Sequence, residues 1–299
     1  VKINGEDTQG LTIMDAVRKL RGPRGTDVTI SIMRESFDNP KDYTITRDII
    51  KIQSVRHRIL PDNIGYIRIS SFQEKTTDDL TNALATIRSA SPQVRGIVLD
   101  LRNNPGGLLD QAVTAADQFV KKGTLVTTKG RDGTRTERRY SARNLGTEPD
   151  VPIIVLVNGG SASGSEILAG ALRDNETALL LGTQTFGKGV MQMIIPLRDG
   201  SALKLTTAKY YTPSGVSIQA KGLTPDFVVE YRRPESETDE MERMREKDLV
   251  GHIEGEEGDV PEIPEVPHPY DPDFVIDNQL QQALDLIKSW ELFKTMQKG

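Results

Sequence analysis

The stretch Val155-Leu-Val-Asn-Gly-Gly-Ser-Ala-Ser163-Gly-Ser-Glu166-Ile-Leu-Ala-Gly-Ala-Leu172 decides how the rest of the chain is read. With Ile153 and Ile154, its first half is an unbroken apolar run, the pattern of a buried strand. Asn158, Gly159 and Gly160 allow a sharp turn. Beyond them, Ile167, Leu168, Ala171 and Leu172 repeat at the helical period. A serine at such a strand-to-helix corner can project its oxygen outward. The N–H groups of the first helical turn have no partner within the helix and can hold a developing negative charge. The run Ser163-Gly-Ser-Glu166 is also a capping box, in which Ser starts the helix and Glu satisfies a free N–H. This stretch alone does not choose between a nucleophile and a cap.

Around it, strands alternate with helices. Ile64–Ile69 reads as a strand and residues 76–90 as an amphipathic helix with Leu80, Ala83, Leu84 and Ile87 on one face. Val94–Leu101 is an apolar strand. Arg102-Asn-Asn-Pro-Gly106-Gly107 is a turn, Leu108–Val120 a helix, and a weaker hairpin with polar turns at Gly130–Gly133 follows. Thr177–Leu181 is a further strand. This order predicts an α/β domain with several parallel strands. From Met191 the pattern turns strand-rich: Met191–Ile195, an Asp199-Gly200 turn, Leu203–Tyr211, then Phe227–Val229.

Residues 1–49 read as a small β-rich module. A strand runs into the Asn4-Gly5 turn, and Thr12 caps a helix to Leu20 with Ile13, Ala16, Val17 and Leu20 on one face. Strands at Val28–Ile32 and Tyr43–Thr46 follow. The order resembles the C-terminal half of a PDZ domain. That resemblance implies a groove for a peptide C-terminus, filled by strand addition. Its carboxylate loop and pairing strand would precede Val1. The chain is expected to divide into 1–49, a core over 50–230, an acidic Pro/Glu-rich segment over 231–276, and a helix over 277–299 capped by Asp277 or Asn278. That helix would dock either on the core or on a second copy, giving a homodimer.

Composition narrows the chemistry. There is no Cys, hence no disulfide, thiolate nucleophile or Cys-ligated metal. No apolar run is long enough to span a membrane. A chain opening on Val1 reads as a fragment or processed form, with any targeting segment outside it. Residues 235–265 carry 13 acidic and 3 basic side chains, so the net charge of −5 belongs to that segment and the remainder stands near +5. No basic run suggests a nucleic-acid partner.

A Ser hydroxyl needs a base. Of the three histidines, His57 falls in the connector between Arg56 and Arg58, while His252 and His268 fall in the acidic segment. None is placed at a strand end or turn of the expected α/β core, so a Ser-His-Asp triad is not expected. A lysine sheltered from water is the alternative base. The candidate is Lys188 in Gly187-Lys188-Gly189, between two strands, with Gln192 four residues on to orient it. Ser201-Ala-Leu-Lys204 matches an S-x-x-K motif, but that motif needs a helix. Here Lys204 starts an alternating strand, where positions three apart face opposite sides.

Four ordered stretches, Asp100-Leu-Arg-Asn-Asn-Pro-Gly-Gly107, Ser161–Glu166, Thr185-Phe-Gly-Lys-Gly-Val-Met-Gln192 and Leu205–Gly215, closely resemble the carboxyl-terminal processing (tail-specific) proteases. The resemblance covers nearly the whole chain outside the acidic segment. It implies a crotonase-like serine–lysine protease core with a PDZ domain. Carried over, Ser163 is the nucleophile, Lys188 the general base and Gln192 the residue that positions it. The oxyanion donors are the N–H of Gly164 and that of Gly106 or Gly107. The family usually has Ala where Gly164 stands, and a backbone N–H survives that change. Glu166 is read as a structural cap. The implied reaction goes through an acyl-enzyme near protein C-termini, with no cofactor or metal, in the bacterial periplasm or cell envelope, or in a plastid lumen. Two other classes stay open at this point: a crotonase-like enzyme acting on an acyl thioester, and a silent peptide-binding scaffold.

Overall fold

The structure, a computed structural model, describes residues 1–49, 53–90, 94–130, 137–145, 149–232 and 277–296, the side chains of 291–296 excepted. The expected acidic segment, with His252 and His268, lies outside the described residues apart from its first two positions. So does most of the expected Gly130–Gly133 turn. The chain divides into two units, Val1–Gln53 and Ser54–Gly299.

In the first unit, strands β1 (Lys2–Ile3) and β2 (Glu6–Asp7) join through Asn4 and Gly5, both at positive φ as a tight hairpin requires. Helix α1 (Ile13–Leu20) follows, and Thr12 caps it by accepting from the Asp15 N–H at 3.2 Å. Strands β3 (Asp27–Ile32) and β4 (Lys41–Thr46) complete an antiparallel sheet of order β2-β1-β3-β4. The expected apolar face of α1 is only partly covered: Ala16 and Val17 are half-buried, while Ile13 and Leu20 are exposed. No α1 residue is buried, and Ile13 is 83% exposed.

The second unit is built on a six-stranded sheet. Its strands in chain order are β5 (Val55–Leu60), β6 (Ile64–Ile69), β7 (Gly96–Asp100), β10 (Ile153–Val157), β11 (Leu179–Gly182) and β14 (Phe227–Val228). Their spatial order is β14-β11-β10-β7-β6-β5. Five run parallel, and β5 is an antiparallel edge. The apolar runs are continuous because both faces are covered. Ile67, Ile69, Ile97, Leu99, Val155, Val157 and Leu180 pack under helices α2 (Thr76–Ala90), α3 (Leu109–Asp117) and α4 (Gly164–Asp174). On the other face Ile64, Val98, Ile154, Leu156 and Leu181 meet Ala283 and Ile287 of α5 (Asn278–Met296). The last helix thus docks on its own core. Asp277 is its cap, accepting the Leu280 N–H at 3.1 Å.

A second sheet of order β12-β13-β8-β9 holds β8 (Thr124–Gly130), β9 (Arg138–Ser141), β12 (Val190–Pro196) and β13 (Ala202–Tyr211). One expectation needs correcting here. His57 is not in a connector but in the middle of β5, exposed, and paired with Ile67 of β6. Charged neighbours at Arg56 and Arg58 hide a strand whose outer edge faces solvent, where polar side chains suit an unpaired edge.

Candidate active site

The site forms beyond the carboxyl ends of the parallel strands β7, β10 and β11, where an open α/β sheet leaves its crevice. Three loops meet there. Residues 101–108 follow β7, 158–163 follow β10, and 183–189 follow β11.

The first two loops are joined by hydrogen bonds. Ser161 Oγ donates to the Leu101 carbonyl at 2.9 Å, and Ser165 Oγ to the Asn104 carbonyl at 2.8 Å. The Ala162 N–H reaches the same Asn104 carbonyl at 3.0 Å. Asn103 and Asn158 exchange bonds at 2.9 Å. Asn104 is fully buried and donates to the Ile69 carbonyl at 2.9 Å. These bonds satisfy loop backbone that would otherwise be buried unpaired.

Ser163 sits at the corner with φ 53° and ψ −110°. That region is open to glycine and costs a residue with a Cβ on the order of 1–3 kcal/mol. The corner is held from both sides. The Ser163 N–H donates to Glu166 Oε2 at 2.8 Å, the half of the capping box that the sequence indicates. Behind it, a Cβ on Gly106 would lie 2.8 Å from both the Ser163 Cβ and the Gly164 nitrogen. Gly107, at φ 145°, could carry no side chain, because its Cβ would stand 2.1 Å from the Phe72 carbonyl oxygen. The two glycines therefore let bare backbone lie against the serine corner.

Glu166 does more than cap. Its carboxylate is fully buried and also accepts from Thr185 Oγ1 at 2.6 Å, the Gly187 N–H at 2.8 Å and the Lys188 N–H at 2.9 Å. One carboxylate thus grips the backbone of both Ser163 and Lys188. Burial pushes its carboxyl up to about 7, against four donors that each favour the charged form. The S-x-x-E spacing announces the cap, but nothing in the sequence announces the grip on a loop some twenty residues later.

Ser163, Lys188, Gln192, Gly106 and Gly107 all line one cleft of about 880 Å³. Gly164, the first residue of α4, lies buried directly behind the serine. Ser163 and Lys188 are half-buried. No hydrogen bond joins their side chains among the described residues, and none joins Gln192 to Lys188. Gln192 is exposed, just past an irregularity in the β12–β13 register between Met191 and Gln192. Irregularities of this kind re-aim side chains. The Gly106 N–H is already taken by Asn104 Oδ1 at 2.9 Å, which leaves Gly107 as the glycine with an unengaged N–H among the described residues. Among the described residues no group of three or more His, Asp or Glu side chains is placed to hold a metal ion.

Arg102 locks the first loop from below. It donates to Asp100 at 3.0 and 2.7 Å, to Asp277 at 2.9 and 2.7 Å and to Gln279 at 2.9 Å. The guanidinium holds the Asp100 carboxyl below its ordinary range against the opposing effect of burial. The motif that supplies the glycines thereby also anchors α5.

Residues 63–229 match the model of peptidase family S41. The chain is 48% identical over 290 residues to a carboxy-terminal-processing protease of Bartonella bacilliformis, covering 96% of this chain and 66% of that protein. It is 40% identical to a carboxyl-terminal-processing protease of Synechocystis, covering 76% of this chain and 53% of the relative. The chain thus spans between about half and two thirds of these relatives. Among solved structures, the photosystem II D1 C-terminal processing protease aligns with a TM-score of 0.56 at 33% identity, over 77% of this chain and 62% of that one.

Proposed function

Because the chain belongs to peptidase family S41, we propose that it is a serine endopeptidase that cuts polypeptides near their C-termini with Ser163 and Lys188. The observation that carries this reading is the shared cleft: the serine corner and the lysine loop open into it together and hang from one buried carboxylate.

In this reading Lys188, as the free amine, takes the proton of Ser163 Oγ, and the oxygen attacks the peptide carbonyl. The oxyanion is held by the N–H groups of Gly164 and Gly107. The amine leaves with the proton from Lys188, and water then hydrolyses the acyl-enzyme with Lys188 again as base. Gln192 swings toward Lys188 when substrate fills the cleft and fixes its position; catalytic contacts that are loose in a free enzyme tighten in this way. The first unit is the C-terminal half of a PDZ-like module for the substrate tail, and the core is of the crotonase-like type. No helix among the described residues is long and apolar enough to cross a membrane. The cell envelope is the proposed place of action.

Hydrolysis of a C-terminal peptide reporter tests the assignment. Ser163→Ala and Lys188→Ala each lower kcat by about 10³-fold or more, and the double variant is no worse than either alone, since the pair acts as a unit. Undiminished turnover by a folded Lys188→Ala protein ends the assignment.

A further inference from the structure

The Gln219 side chain lies in the loop between β13 and β14, fully buried and outside the lining of the cleft. Its Oε1 accepts the Gly189 N–H at 2.9 Å. On the other side of Lys188, Glu166 Oε2 accepts the Lys188 N–H at 2.9 Å. A peptide group is planar, so a residue's φ and ψ follow from the two planes that flank its α-carbon. At Lys188 each of those planes is held by a buried side chain from a different part of the chain. Together the two bonds fix the direction in which the Lys188 side chain leaves the backbone.

Residues 217–223 are bonded to the lysine loop at further points. The Ala220 N–H donates to the Gly187 carbonyl at 2.8 Å, the Thr185 N–H to the Leu223 carbonyl at 3.1 Å, and Gln184 Nε2 to the Lys221 carbonyl at 2.6 Å. Gly189 lets the two stretches come this close, since its Cβ would stand 2.3 Å from the Gln219 nitrogen. Ala220 holds φ 62°, a left-handed conformation that strains a residue with a Cβ and persists only where the surroundings impose it. The Lys188 side chain, by contrast, is half-buried and has no hydrogen-bond or ion-pair partner among the described residues. Its placement in the free enzyme therefore rests on its backbone.

We propose that Gln219 is a positioning residue for the general base. From behind the lysine loop it fixes the peptide plane after Lys188, and so aims the amine toward Ser163 without touching substrate. This rests on the peptidase reading above and adds a second clamp to that of Glu166. Without the Gln219 acceptor, the Gly189 N–H is buried unpaired and the loop shifts to find water, carrying Lys188 off its line to the serine. Small displacements of a reacting group are costly in rate while leaving substrate binding in place.

The test is a cycle of wild type, Gln219→Met, Lys188→Ala and the double variant, each confirmed folded by thermal unfolding and assayed for fluorophosphonate labelling of Ser163. Gln219→Met roughly keeps the volume and removes the acceptor. It slows labelling about ten- to hundredfold when Lys188 is present, and by less than about twofold when Lys188 is Ala, because its effect passes through the lysine. A loss of equal size in both backgrounds overturns the proposal, since Gln219 then supports only the shape of the serine corner. No loss in either background overturns it too. Gln219→Glu keeps an oxygen at the same reach and labels within about threefold of wild type. A folded Gln219→Glu protein as slow as Lys188→Ala overturns the proposal, because the acceptor is then not what counts. Equal labelling of wild type and Lys188→Ala overturns the base assignment itself, and this proposal with it.

Discussion

Glu166 illustrates how one residue can carry two loops. Its four donors come from Ser163, Thr185, Gly187 and Lys188, and each oxygen takes two. Glu166→Gln would turn amide hydrogens toward backbone N–H groups, which repel them. The variant is therefore less stable, and its kcat falls while KM changes little. The wild-type pH dependence has a defined sign. Its folded carboxyl titrates near 7, above the ordinary 4.5. Its contribution to stability is fully present below about 4.5 and is lost as pH rises through 7, by roughly 3 kcal/mol in all. Chemical denaturation from pH 4.5 to 8 checks this. The wild type shows the decline and Glu166→Gln a flatter profile; identical slopes contradict the account.

At the scale of elements, Arg102 couples the C-terminal helix to the glycine loop. Its side chain is 9% exposed and that of Asp277 28%. Asp277→Ala removes two charged bonds and the α5 cap, leaving a buried guanidinium partly unpaired. The expected cost is on the order of 2 kcal/mol, with a fall in kcat because residues 103–107 loosen above Arg102. Thermal unfolding and reporter turnover check both, and unchanged values of the two would separate α5 from the site. Most elements were legible because their periods are clean. Residues 76–90 were read as a helix and form one with the same limits, with Leu80, Ala83, Leu84 and Ile87 buried as expected. His57 was misplaced because an edge strand carrying Arg56 and Arg58 lacks the apolar alternation that marks a half-buried strand. The aim of Gln192 was not legible either, since its register irregularity depends on the partner strand β13.

At the scale of the molecule, every residue of the cleft belongs to the second unit. Three loops far apart in sequence become one site because β7, β10 and β11 lie side by side and parallel, ending on the same side of the sheet. Ser163 and Lys188 stand out in the sequence as candidates through their motifs, while the Glu166 carboxylate that their backbones share is visible only in the fold. The account depends on Lys188 activating Ser163, and the direct measurement is the rate at which a fluorophosphonate modifies Ser163, mapped by mass spectrometry, in the wild-type chain and in Lys188→Ala. The account predicts rapid labelling confined to Ser163 in the wild type and a rate at least about 100-fold lower in the variant. Equal rates in the two proteins, or label on another residue, would contradict it.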